Sequence, residues 1–182
     1  MELSGHRVID APREQVWEAL LDPAVLKACV PGCTEMSGTP EDGFEATVVQ
    51  KVGPVKATFK GDVRLEDMKR PDSLTLSGEG KGGAAGFAKG GADCRLSEEA
   101  NGATRLDYDV EAKVGGKLAQ LGSRVIDGFA KKMADQFFEN FKAQVEGPSE
   151  AVGEVATGNP EPAGGESGAS KKGGWFGRKR AD

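Results

Sequence analysis

The spacing of apolar residues predicts a series of strands followed by one long helix. Between residues 44 and 114, apolar residues recur at every second position, as expected for strands that bury one face. From Gly115 to Val145 the spacing changes to three and four residues, which is typical of an amphipathic helix. We therefore predict one helix over residues 115–145, with the Gly147-Pro148 pair after its end.

The apolar stripe of this helix is wide, which indicates that a large surface covers it. It consists of Leu118, Leu121, Val125, Ile126, Phe129, Met133, Phe137, Phe138 and Phe141. Charged residues such as Lys131, Lys132 and Asp135 occupy the opposite side, which we expect to be solvated. We expect Phe129, near the centre of the stripe, to face the sheet.

Shorter elements precede the long helix. Residues 3–9 alternate as a first strand, and two short helices follow, separated by Asp22-Pro23. An antiparallel meander of about five strands then begins at Phe44, with turns at segments such as Gly53-Pro54. Each strand has an apolar and a charged face. This pattern predicts an α+β fold in which a curved antiparallel sheet wraps around the long C-terminal helix.

A glycine-rich segment, GEGKGGAAGFAKGG at residues 78–91, interrupts the strand pattern. Two explanations remain open, and they are compatible. The glycines mark the bends and bulges that curvature requires, or they leave space between the sheet and the helix. The second explanation favours an internal cavity.

Composition changes sharply after the long helix. Residues 1–146 hold 19 basic and 24 acidic side chains, which accounts for the net charge of −5. Residues 147–170 are rich in Gly, Ala, Glu, Pro and Ser without periodicity, which predicts a disordered linker. Basic residues are concentrated in the final segment. We therefore divide the chain into a folded domain at 1–146, the linker, and a basic tip at 171–182.

Charge and cysteine content argue against several classes of protein. The acidic balance is not typical of nucleic-acid binding. The N-terminal residues are polar and no run of 18 apolar residues exists, so we expect neither a signal peptide nor a membrane span. Three cysteines without a disulfide framework fit a reducing cytoplasm.

Residues with catalytic or metal-binding chemistry are sparse. Cys29 and Cys33 lack the four ligands of a structural zinc site, so we expect no metal. His6 is the only histidine, and GEGKGG lacks the Gly-Lys-Ser/Thr ending of a phosphate loop. We find no nucleophile motif or meaningful carboxylate pair and therefore do not expect an enzyme.

Four segments together resemble a known family. They are APREQVWEALLDPAVLKACVPGC (11–33), VGPVKATFKGDVRL (52–65), GEGKGGAAGFAKGGA (78–92) and GGKLAQLGSRVIDGFAKKMADQFFENF (115–141). With the order of elements, they resemble the START-like helix-grip (SRPBCC) superfamily and, within it, the CoxG family of carbon monoxide dehydrogenase subunits. The resemblance covers residues 2–145.

The resemblance implies a cavity between the sheet and the long helix that binds an apolar small molecule. Six residues are candidates to line it, although each also suits an ordinary core: Phe59, Phe87, Leu118, Leu121, Val125 and Phe129. We expect no tightly bound cofactor. A quinone is the natural candidate for the ligand, because an enzyme that oxidises a substrate must pass electrons to the respiratory chain.

The basic tip combines aromatic and positively charged residues. They are Lys171, Lys172, Trp175, Phe176, Arg178, Lys179 and Arg180. Such a segment suits an anionic membrane surface, where aromatic rings enter the headgroup region and bases meet phosphates. A solubilising end and a docking peptide for a partner protein are the alternatives.

The resemblance implies an accessory protein of a carbon monoxide dehydrogenase-type molybdenum hydroxylase. With the tip, it predicts a cytoplasmic protein, peripheral on the inner face of the cell membrane, that links the enzyme to the membrane for electron transfer. Its expected partners are the hydroxylase subunits, the membrane surface and the apolar ligand. Three alternatives remain: a membrane recruitment factor without a ligand, a maturation factor for the hydroxylase, and an enzyme of the polyketide-cyclase type.

Overall fold

One antiparallel sheet and one long helix form the main layers of the structure, a computed structural model that describes residues 1–147. The strands are β1 (Glu2–Ile9), β2 (Cys33–Thr39), β3 (Gly43–Val52), β4 (Val55–Lys69), β5 (Ser73–Lys81), β6 (Phe87–Glu98) and β7 (Thr104–Gly115). The α-helices are α1 (Arg13–Leu20), α2 (Pro23–Cys29) and α3 (Ser123–Val145). Single turns of 3-10 helix cover Gly83–Ala85 and Ala119–Leu121. The predicted linker, apart from Gly147, and the predicted basic tip lie outside the described residues.

The seven strands form one sheet in the order β1-β7-β6-β5-β4-β3-β2, and every neighbouring pair is antiparallel. Strands β2 to β7 therefore form a meander, and β1 pairs with its last strand. Tyr108 on the inner face of β7 stacks on Phe138 of α3, so the helix lies against that face. The predicted α+β helix-grip architecture is confirmed.

Strand β2 extends the meander beyond the sequence-based prediction, which began it at Phe44. The sequence of β2, CTEMSGT, contains one large apolar residue, Met36, so an alternation with period two is not visible. Pairing with β3, with Met36 opposite Ala46, establishes the strand. The meander consequently has six strands instead of about five.

The long helix begins eight residues later than predicted, at Ser123. The preceding residues complete β7 and form the second 3-10 turn. Gly116 and Gly122 have φ angles of 75° and 86°, which are incompatible with a right-handed helix. Leu118 and Leu121 therefore lie outside α3, although their spacing continues its apolar period.

The core lies where α1, α2 and the C-terminal part of α3 cover the sheet. The following side chains are at most 2% exposed: Ile9, Val16, Trp17, Leu106 and Phe141. The buried residues of α3 all lie toward its C-terminus, namely Phe138, Phe141 and Val145. Phe129, in the N-terminal half, is only partly buried. Packing therefore anchors the helix chiefly at its C-terminal end.

Side-chain hydrogen bonds hold the same end of α3 in place. Asn140 Nδ2 donates to the carbonyl of Cys29 at 3.0 Å, which ties α3 to the end of α2. Gln15 Nε2 donates to the carbonyl of Val145 at 2.7 Å and satisfies one of the free carbonyls at the helix terminus. These bonds fix the part of α3 that covers the centre of the sheet.

Candidate functional site

A cavity of about 350 Å³ lies between the inner face of the sheet and the C-terminal half of α3. Its floor consists of Phe44, Ala46, Val63, Leu74, Leu76, Ala92, Cys94, Leu106, Tyr108 and Val110. Its roof consists of Met133, Ala134, Phe137 and Phe138, and the remaining wall consists of Leu20, Leu26, Val30, Pro31 and Met36. Small-molecule sites commonly have volumes of roughly 300–1,000 Å³.

The floor of the cavity follows from the alternation of the strands. Leu76, Ala92 and Val110 are cross-strand neighbours in one row, and their side chains share the inner face. Ala92, in the middle of that row, is small, and Ala134 in the roof is small as well. Small residues on both sides leave a volume that close packing would otherwise fill.

No charged side chain is present among the described residues that surround the cavity. The polar groups there are the Tyr108 hydroxyl and the Cys94 thiol. Burial raises the pKa of Cys94 to about 11, and the negative charges of Asp93 and Asp109 contribute to the increase. The thiol is therefore neutral near pH 7 and behaves as a small apolar group instead of a nucleophile.

An aromatic cluster forms the side of the cavity that faces β1. The rings of Tyr108 and Phe138 stack with their centroids 4.9 Å apart, and Phe137 meets Phe138 edge-on at 5.2 Å. The guanidinium carbon of Arg7 lies 5.3 Å from the Phe138 centroid and 5.7 Å from the Tyr108 centroid. A cation this close to two ring faces stabilises their arrangement.

Arg7 belongs to the inner face of the sheet, and the sequence analysis missed it. Burial alternates along β1, and the inward positions are Leu3, Gly5, Arg7 and Ile9. The available signal was an arginine at an inward position, because such positions normally hold apolar residues. Asp135 of α3, which was predicted to lie on the solvated face, neutralises its charge.

Gly5 allows the Tyr108 ring to lie against β1. The two residues are register partners, and a Cβ atom at Gly5 would lie 2.6 Å from the Tyr108 hydroxyl oxygen. That separation is shorter than van der Waals contact, so any side chain at this position would displace the ring. The aromatic side of the cavity therefore depends on a glycine in β1.

None of the six residues predicted to line the cavity is among those that surround it. Phe59 is on the inner face, but its ring covers Gly82 at the end of β5. Phe87 shares the outer face with Lys89, and 44% of its surface is exposed. The alternation of β6 thus places this phenylalanine on the side of the sheet that faces away from α3.

The other four predicted residues precede α3 or belong to its N-terminal half. Leu118 is buried, and its N–H donates to the Ala85 carbonyl at 3.0 Å. Val125 is 41% exposed, whereas Leu121 and Phe129 are partly buried. The later start of α3 explains the difference, because the cavity lies under the other half of the helix. Contact of the six residues with a ligand stays a prediction.

A larger concavity of about 900 Å³ lies on the outer face of the sheet. Its surroundings include the exposed charged residues Lys89, Asp93, Asp109, Glu111 and Lys113. Charges of both signs remain in contact with water there. This concavity does not suit an apolar ligand, so the cavity under α3 is the candidate site.

The cysteines and the histidine singled out in the sequence lie apart from the cavity lining. Cys29 is buried, and burial raises its pKa to about 11. The Cys33 thiol donates to the carbonyl of Glu35 at 3.2 Å, and His6 is exposed on β1. Within residues 1–147, no group of three or more His, Cys, Asp or Glu side chains is arranged to hold a metal ion.

The predicted membrane-contacting residues lie outside the described range. They are Lys171, Lys172, Trp175, Phe176, Arg178, Lys179 and Arg180. Their contact with lipid stays a prediction. In the part of the chain that the structure describes, no helix combines the length and the hydrophobicity that a bilayer span requires.

Several solved structures are similar to this chain. A conserved protein from Geobacillus kaustophilus is 29% identical, with a TM-score of 0.75 and coverage of 80% of this chain and 95% of its own. A protein from Chromobacterium violaceum is 18% identical, with a TM-score of 0.60 and coverage of 80% and 98%. A protein from Thermus thermophilus is 13% identical, with a TM-score of 0.60 and coverage of 80% and 97%. The last two likenesses concern the fold alone.

Comparison of the sequence with protein families covers the same domain. No curated protein matches the chain. The CoxG family of carbon monoxide dehydrogenase subunits matches residues 5–146, a range that contains α3 and every residue around the apolar cavity. Because this match extends over most of the chain, the protein belongs to the CoxG family.

Proposed function

We propose that this protein is an accessory component of a carbon monoxide dehydrogenase-type molybdenum hydroxylase and holds an apolar small molecule beneath α3. The observation that carries the proposal is an uncharged cavity of about 350 Å³ in a chain of the CoxG family. The family suggests the enzyme partner, and the cavity suggests the chemical class of the ligand.

The lining of the cavity favours a ligand with an apolar body and few polar atoms. Removing apolar surface from water is favourable by about 25 cal/mol per Å². Among the described lining residues, the Tyr108 hydroxyl is the strongest hydrogen-bond donor, and a carbonyl oxygen would satisfy it. A quinone has both features and transfers electrons from an oxidising enzyme to the respiratory chain.

The proposal includes attachment to the inner face of the cell membrane through the basic tip at residues 171–182. Five bases accompany Trp175 and Phe176 in that segment. Each base near an anionic surface contributes about 1 kcal/mol, and the aromatic rings add an apolar contribution. The folded domain would then transfer its ligand between the hydroxylase and the bilayer.

The protein acts in this proposal by binding, without catalysing a reaction. Proton transfer in a buried site normally needs a carboxylate, an imidazole or a similar group in contact with the substrate. The described lining contains neither a carboxylate nor an imidazole, and Cys94 keeps its proton near pH 7. An enzyme of the polyketide-cyclase type would require such a group within the cavity.

The direct test is to extract the purified native protein with organic solvent and identify the released molecules by mass spectrometry. We expect an apolar molecule in roughly stoichiometric amount. Ala134→Phe fills the roof of the cavity, whereas Ala143→Phe adds the same bulk at an exposed position of α3. Ala134→Phe should lose the ligand and Ala143→Phe should keep it. Native protein without an apolar ligand would favour a recruitment factor.

A second test separates electron transfer from maturation of the hydroxylase. Deleting the gene should leave the hydroxylase active with an artificial electron acceptor but abolish substrate-dependent quinone reduction by membranes. Loss of both activities would indicate a maturation factor. If the Ala134→Phe protein fully restored quinone reduction, the ligand-carrying role would be wrong.

A further inference from the structure

Three connections of the fold contain bases and no acids. They are the β3–β4 connection at residues 50–60, the β5–β6 connection at 81–89 and the β7–α3 connection at 113–125. Together they carry eight bases, whereas the rest of residues 1–146 carry 11 bases and 24 acids. We call the eight residues the basic end: Lys51, Lys56, Lys60, Lys81, Lys89, Lys113, Lys117 and Arg124. The folded domain is therefore strongly polarised despite its net negative charge.

The register of the sheet places these bases at one end and partly against each other. Three lysine pairs lie directly opposite across neighbouring strands: Lys51 and Lys56, Lys60 and Lys81, and Lys89 and Lys113. Like charges in directly opposed positions destabilise a sheet. Three such pairs at one end reduce the stability of the fold, and an external anionic partner would relieve their repulsion.

The bases of the basic end are largely free of internal partners. Among the described residues, only Lys81 has a carboxylate within 4.0 Å, with Glu79 at 3.6 Å. Arginines elsewhere in the domain behave differently, and five of them have a carboxylate within that distance: Arg7, Arg13, Arg70, Arg95 and Arg105. The charge of the basic end is therefore available to an external partner.

Exposed apolar side chains lie among these bases. Phe87 occupies the same cross-strand row as Lys60 and Lys81 and is 44% exposed. Its ring covers Gly115, where a Cβ atom would lie 2.3 Å from the ring. Val125, which is 41% exposed, follows Arg124 at the start of α3. The combination of bases and exposed apolar residues is typical of surfaces that contact membranes.

The type of base favours a lipid surface over a protein partner. Seven of the eight bases are lysines, which act as point charges on flexible stems. Arginine is preferred where a fixed carboxylate or phosphate is recognised with two parallel hydrogen bonds. Mobile anionic headgroups need only the point charge. We propose that the basic end docks the folded domain on an anionic membrane surface, with Phe87 and Val125 entering the headgroup region.

This contact is additional to the basic tip, and its biological meaning rests on the membrane-linking role proposed above. The test therefore uses the full chain with the five bases of the tip changed to serine. Binding to vesicles of phosphatidylglycerol and phosphatidylcholine is measured by co-sedimentation at low salt. We expect residual binding that requires the anionic lipid and weakens as salt increases.

The decisive variant adds Lys56→Gln, Lys60→Gln and Lys113→Gln, one change in each opposed pair. We expect its affinity for anionic vesicles to fall about tenfold or more. Thermal stability should stay the same or increase, because repulsion across the sheet is relieved. The matched control, Lys27→Gln with Arg64→Gln and Lys69→Gln, changes the net charge equally outside the basic end and should alter the affinity by less than about twofold.

Three results would overturn the proposal. The first is absence of anionic-vesicle binding by the tip-neutralised chain at low salt. The second is an equal loss of affinity in the variant and its control. The third is a variant that binds vesicles normally but no longer binds the hydroxylase, which would assign the basic end to a protein partner. Each result leaves the ligand-extraction test unaffected, so failure here is distinguishable from failure of the proposed function.

Discussion

The guanidinium of Arg7 and the carboxylate of Asp135 lie 2.5 Å apart and connect the first strand to the long helix beside the cavity. The pair is only partly exposed, with 29% of the Arg7 side chain and 48% of the Asp135 side chain accessible to water. Because the guanidinium also contacts the rings of Phe138 and Tyr108, one residue links an ion pair to the aromatic side of the cavity.

We expect the two partners of this ion pair to contribute unequally to stability. Asp135→Asn should lower the free energy of unfolding by at most about 1 kcal/mol, because a partly exposed ion pair contributes little. Arg7→Ala should lower it by about 2 kcal/mol, since it also removes the cation from two ring faces and the apolar stem from the interior. Urea unfolding monitored by circular dichroism measures both values.

The double variant provides the control for this prediction. If the ion pair is the coupling between the two residues, Arg7→Ala with Asp135→Asn should cost less than the sum of the single changes. Equal costs for the two single variants would show that the ring contacts contribute nothing.

The two ends of α3 should differ in their contribution to folding. Phe141 is fully buried, so Phe141→Ala should cost about 3–5 kcal/mol. Phe129 is only partly buried, and the same truncation there should cost less than half as much. Thermal and urea unfolding of the two variants provide the comparison. A larger cost at Phe129 would contradict the anchoring of α3 at its C-terminal end.

The fold class was predictable because the strand alternation and the helix period extend over long segments. The failures occurred where a local backbone conformation decided the outcome. Leu118 and Leu121 fit the apolar period of α3, but the positive φ angles at Gly116 and Gly122 exclude them from the helix. Periodicity describes side-chain positions and does not detect a glycine that ends the helical conformation.

The inward faces of the strands were also predictable, but the position of the cavity was not. Alternation correctly placed Cys94 with Ala92 and Leu96 on one face. Whether that face meets a helix or an empty volume depends on which part of α3 lies above it. That relationship arises from tertiary contacts such as the bond from Asn140 to Cys29, for which the sequence carries no local pattern.

The buried thiol of Cys94 predicts a loss of stability at alkaline pH. Its pKa is about 11 in the folded protein against an ordinary value of 9.0, so folding favours the protonated form. The resulting stabilisation is complete below pH 9 and decreases as pH rises toward 11, because the unfolded chain loses its proton first. The decrease should reach about 2–3 kcal/mol by pH 11. Urea unfolding across this range measures it.

Cys94→Ala isolates this contribution from the lysines and the tyrosine that titrate in the same range. The variant will be less stable at pH 7 because it leaves a small cavity, but its stability should fall less steeply between pH 9 and pH 11. Parallel curves for the two proteins would mean that Cys94 titrates normally in the folded state.

The basic tip should bind membranes through two separable contributions. Its bases provide an attraction that screening weakens, since the Debye length is only about 10 Å at 0.1 M salt. Trp175 and Phe176 provide apolar burial, which salt does not remove. In the full chain, Trp175→Ala with Phe176→Ala should therefore bind anionic vesicles at low salt almost as the parent does, yet detach at about 0.5 M salt.

A matched variant tests whether this effect belongs to the aromatic rings themselves. Trp175→Phe keeps an apolar ring at each position and should keep most of the salt-resistant binding, because ring burial provides it. If the double alanine variant and the parent detach at the same salt concentration, the rings do not enter the bilayer. If a peptide of residues 171–182 binds the purified hydroxylase but not the vesicles, the tip is a docking peptide for the enzyme.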